Sequence, residues 1–122
     1  MVIVMNDREL LEMAAKAAGF KFTSWQNVEY PKNSGLHGAL YCMSHYWNPL
    51  TDDGDALRLA VKLRLEIERS KHSECVVYVG EVGAGQLFER SDEKTDIFAA
   101  TRRAIVRAAA GIGRTMTTES VR

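Results

Sequence analysis

Four residues attract attention first, because their types are those of metal ligands and nucleophiles. Cys42-x-x-His45 is mirrored further along by His72-x-x-Cys75. Two thiolates and two imidazoles make up a known zinc donor set. A Cys–His nucleophile pair would use the same side chains, although no third residue stands out to orient the imidazole. Residues three apart on a strand point to opposite faces, so a turn would have to interrupt each half before either could chelate. The sequence is therefore read as having no metal site, no cofactor and no catalytic residues. A small zinc protein or enzyme built on Cys42, His45, His72 and Cys75 stands as an alternative.

The acids Asp52, Asp53 and Asp55 follow Trp47-Asn48-Pro49-Leu50-Thr51. An aromatic ring beside a helix N-terminus could form a ligand pocket, with Trp47 as a platform next to free N–H donors. The acids could instead hold a divalent cation, but their spacing is not that of an EF-hand loop. The plainer reading makes Trp47 a core plug, Asn-Pro a turn and the acids helix caps. The run Gly80-Glu81-Val82-Gly83-Ala84-Gly85 follows an apolar strand, as a phosphate loop would. No glycine-spaced helix follows it and Glu81 carries the wrong charge, so it reads as a hairpin turn.

Arg103, Arg107 and Arg114, with Arg102 beside them, lie on the last helix. Arg103 and Arg107 are one turn apart and share a face. Guanidinium groups so placed could grip an acidic partner surface or phosphates; alone, they are a solvated outer face. Trp25, Tyr30, Tyr41, Tyr46 and Trp47 are core if both sheet faces are covered, and an interaction patch if one is open.

These residues need elements to hold them. Asn6 with Glu9 three residues later opens a helix over 6–18, and Gly19 closes it. Alternating residues place strands near 20–26 and 40–46, around a Pro-Lys-Asn-Ser-Gly loop. Thr51 or Asp52 caps a second helix running to about residue 63, with Leu57, Ala60 and Val61 as its inner stripe. Strands follow at 65–68, at 75–79 and in part at 86–89. The closing helix starts between 91 and 95 and is expected to end at Gly111 and Gly113. Phe98, Thr101, Ile105, Ala108 and Ile112 share its inner face. The expected fold is an α/β single-domain sandwich over 1–114, in the order α-β-β-α-β-β-(β)-α. Its helices pack on a small, mostly antiparallel or mixed sheet, and 115–122 forms a flexible tail.

A chain of 122 residues suits one domain, and 46% apolar with 26% charged residues is ordinary globular composition. Sixteen acids balance sixteen bases, which argues against a protein built to grip long nucleic acid. Two cysteines are too few for a disulfide framework and suit a reducing cytosol. The opening Met-Val-Ile-Val-Met is too short for a signal or spanning segment, so no membrane is expected.

The segment from Trp47 to Leu63 resembles the core signature of the phage ABA-sandwich family, small phage and prophage proteins of largely unassigned function. The run Ala100 to Ala110 is similar to that family's closing helix, and Glu9 to Gly19 to its first. The family's glycine after the second helix is replaced here by Arg64. The resemblance implies an α/β sandwich of phage origin and no particular reaction. It suggests an accessory binding protein in the host cytoplasm that contacts a host protein, a counter-defence inhibitor among the roles it suits. Arg102, Arg103, Arg107, Arg114, Trp47 and Asn48 are the candidate partner-binding residues. A module for a small nucleotide or single-stranded nucleic acid is a further alternative, and an open strand edge near 20–26 leaves room for a homodimer.

Overall fold

A computed structural model describes residues 5–71, 76–81, 88–92 and 96–120. Helix α1 spans Asp7–Ala18, and its start is the capping box expected from sequence. The Asn6 side chain accepts from the Glu9 backbone at 2.8 Å, and the Glu9 carboxylate accepts from the Asn6 backbone at 3.1 Å. Gly19 closes the helix in the left-handed region, with φ of 76°.

Three antiparallel strands follow: β1 (Phe22–Glu29), β2 (His37–Cys42) and β3 (His45–Trp47), paired in that order. The single strand expected over 40–46 is thus a hairpin. Met43 and Ser44 form its two-residue turn, both with positive φ (49° and 76°). Such turns usually use Asn-Gly, so this one is silent in sequence. Gly38 sits at φ 111° beneath Trp25, and any side chain there would collide with the indole ring.

Helix α2 (Asp53–Lys62) takes Asp52 as its N-cap. After its C-cap, Leu63, comes Arg64 with φ of 57°, a left-handed position that glycine would adopt without strain. A second antiparallel sheet comprises β4 (Leu65–Arg69), β5 (Val76–Glu81) and β6 (Phe88–Asp92), again paired in chain order. β5, where a strand is expected over 75–79, is its centre from Val76 onward, with Val77 and Val79 fully buried. Most of the glycine-rich run, from Val82 to Gly85, lies outside the described residues.

Helix α3 spans Ile97–Ser120 and does not stop at Gly111 or Gly113. Gly113 is not a cap. It lies against the Met13 carbonyl of α1, where a Cβ would overlap the backbone. Glycine here serves helix approach, so α3 continues through the segment expected to be a tail. α3 packs chiefly on α1, and also on β5, β6 and α2. The core joins Leu10, Leu11, Ala14, Ala15 and Ala18 of α1 to Ala100, Ala104, Ile105, Val106 and Ala108–Ala110 of α3. The chain is α/β, with a helix and three antiparallel strands occurring twice before the closing helix.

Candidate functional site

The Trp47–Asp55 segment builds a closed polar node. Trp47 is 3% exposed and meets Phe20 edge to face at 5.4 Å. Asn48 is equally buried, and its side chain is satisfied by backbone alone. Its Nδ2 donates to the Gly38 carbonyl at 2.8 Å, and its Oδ1 accepts from the Leu50 amide at 2.9 Å. Neither residue presents its side chain to a partner, so both leave the set of candidate contact residues.

The three acids have separate tasks. Asp52 accepts from the Asp55 amide at 2.8 Å as the cap. Asp53 pairs with Arg102 at 2.6 Å. Asp55 turns inward, 3% exposed, and accepts from the Tyr30 hydroxyl at 2.7 Å, the Asn48 amide at 3.0 Å and Arg58 Nη2 at 2.8 Å. Those donors compensate the burial of its charge. Burial, then the hydrogen bond to Asp55, pushes the Tyr30 phenol well above its usual range. The same carboxylate's hydrogen bond raises Arg58 further. No group of three or more metal-binding side chains occurs among the described residues.

Cys42 and His45 face each other across the hairpin as register partners. Cys42 is nevertheless buried while His45 is exposed. Burial, and secondarily the Asp55 charge, lifts the Cys42 thiol from 9.0 to about 11, which keeps it protonated and poorly nucleophilic at neutral pH. His72 and Cys75, the other half of the proposed zinc set, lie outside the described residues.

The arginines divide as well. Arg102 donates from Nε to the Leu50 carbonyl at 2.8 Å while its Nη1 holds Asp53, so it ties α3 to the start of α2. Arg103 reaches Asp7 of α1 at 3.0 Å. Arg107 is half-buried and Arg114 is exposed. Among the aromatics, Tyr41 and Tyr46 pair edge to face across the hairpin on the exposed side, while Trp25 and Tyr30 are half-buried.

The surface left over lies elsewhere. The inner stripe of α2 is Ala56, Leu59 and Ala60. Leu57 and Val61, expected inside, are 62% and 69% exposed, and Phe98 of α3 is 68% exposed. Leu57 and Phe98 stand with Ile67 of β4, 42% exposed, around a groove of about 470 Å³ that Ile97, Thr101, Ile105, Arg102, Asp53 and Arg69 also line. The groove has a simple origin. Ile67 lies opposite Val79, on the sheet face that α3 covers. α3 packs on β5 and β6 but scarcely reaches β4, leaving a slot beside β4 that Ala56 and Leu57 of α2 also line. One signal in the sequence pointed here. Six of the eight residues from Ala56 to Leu63 are apolar, wider than the single stripe at 56, 59, 60 and 63 that one buried face requires.

No helix among the described residues is long and apolar enough to cross a membrane. No protein-family model matches this chain, and no curated protein or solved structure matches it either.

Proposed function

We infer that the chain is a non-enzymatic protein-binding module whose contact surface is the groove between α2, α3 and β4. The observation that carries this reading is the display of Leu57, Ile67 and Phe98 around one concavity. Large apolar side chains grouped at a cleft lose free energy only when another surface covers them. The polar node on the inner side of α2, by contrast, has its donors and acceptors matched within the fold.

The resemblance to the phage ABA-sandwich family gives this surface a setting: a phage accessory protein engaging a host protein, with counter-defence as one such role. Of the arginines expected to make that contact, Arg102 belongs to the groove wall. The alternative of a phosphate-bearing ligand is weaker here. Arg102 is already held by the Asp53 carboxylate, so a phosphate would compete with a carboxylate for it.

The test uses Leu57→Glu with Phe98→Glu. A host protein captured from bacterial lysate is identified, purified and titrated against both chains. Binding should fall on the order of a hundredfold or more in the double variant, as for loss of central apolar anchors. Equal binding by a double variant that melts normally rejects the groove as the contact surface.

A further inference from the structure

We propose that β4 is a docking edge for an extended peptide in which apolar residues alternate with basic ones, the peptide adding a strand to the second sheet. This rests on the protein-binding reading above and names the chemistry of the partner.

Among the described residues β4 is an edge strand of its sheet, with β5 its one paired neighbour. An edge strand offers unpaired backbone N–H and C=O groups to an incoming strand. Its two faces differ in chemistry. Ile67 and Arg69 point into the groove. Glu66 and Glu68 point to the opposite face, both exposed, where their cross-strand neighbours on β5 are Gly80 and Tyr78. Neither acid has a cationic partner among the described residues. Side chains of an added strand alternate between the same two faces. Those on the groove side would cover Leu57 and Phe98. Those on the other would stand beside Glu66 and Glu68, where opposite charges stabilise a cross-strand pair and like charges destabilise it.

The same charges disfavour a second copy of this chain. Antiparallel self-pairing of β4 centred on Ile67 sets Glu66 opposite Glu68 twice. Such like-charged juxtaposition is a known device against edge-to-edge association.

The full chain is titrated with capped synthetic peptides alternating valine with lysine, or valine with glutamate, and followed by amide and methyl NMR shifts. The valine–lysine peptide should bind on the order of tenfold more tightly, with shifts centred on β4, Leu57 and Phe98. Glu66→Lys with Glu68→Lys alters only exposed positions and should reverse the preference. Backbone N-methylation of the lysine peptide should abolish its binding. Equal affinity for the two peptides, absence of binding, shifts away from β4, or a β4-mediated dimer in sedimentation would each overturn strand addition. If strand addition fails while the purified host partner still depends on Leu57 and Phe98, only the peptide chemistry falls. Failure of both removes the binding-module reading as well.

Discussion

The two sides of α2 are a study in contrast. Inward, Asp55 is surrounded by Tyr30, Asn48 and Arg58 at 2.7–3.0 Å. Outward, Leu57 and Val61 meet solvent. Two residues along the same helix, a charge is buried and hydrocarbon is exposed, the reverse of the usual partition. Burial of Asp55 is tolerated because its donors come from three parts of the chain. Exposure of Leu57 stabilises nothing within this chain. The first side is matter for folding; on the reading proposed above, the second is matter for association.

The sharpest break in that contrast would come from Asp55→Ala. It leaves the Asn48 amide and the Tyr30 hydroxyl without their acceptor, at a cost of about 3 kcal/mol in urea unfolding. A loss below about 1 kcal/mol would show that the node is not what holds the first sheet to α2.

Next in size is an alkaline effect from the same side of the molecule. Cys42 and Tyr30 both hold their protons more tightly folded than unfolded. Above pH 9 the unfolded chain therefore releases protons that the folded chain retains, and stability falls as pH rises toward 11. The buried Cys42 accounts for about 2 to 3 kcal/mol of that loss. Denaturation midpoints from pH 8 to 11 should drop with a slope that Cys42→Ala reduces. An unchanged slope in that variant would contradict the assignment.

Arg64→Gly probes the join between the second helix and the groove strand. Relieving the positive φ should raise stability by about 0.5 to 1 kcal/mol, read as a higher melting temperature. The smallest effect is expected outward. Leu57→Ser and Phe98→Ser should each change stability by less than about 0.5 kcal/mol, because neither side chain is buried. A loss of about 2 kcal/mol in either would mean that its apolar surface is already covered, and the contrast would collapse.

Much of the fold was legible from local chemistry. Asn6, Glu9 and Gly19 bounded α1 as their capping roles required, and Asp52 capped α2. The described part of the apolar run expected at 75–79, from Val76, lay at the sheet centre. Four features escaped for physical reasons. Met43 and Ser44 turn a hairpin without the residues that normally favour positive φ. Gly113 accommodates a neighbouring backbone rather than ending a helix, and glycine looks the same in either role. Leu57, Val61 and Phe98 were assigned to the core because hydrophobicity marks what avoids water without saying what shields it. The same ambiguity concealed Asp55, since an acid in the first turn of a helix reads as a cap until its side chain is seen turned inward. Trp47 and Asn48 were correctly tied to the start of α2, but as framework.

The close approach at Gly113 has a mechanical corollary. With Met13 backbone pressed against α3, Arg103 bound to Asp7, and Arg102 bound to Leu50 and Asp53, the helix has little freedom to slide or roll. One whole wall of the slot is carried on that helix. An arriving segment would meet one wall already held in place, so that side would lose little ordering entropy on association. Whatever adjustment an occupant requires would then fall on the β4 side of the opening rather than on the helix.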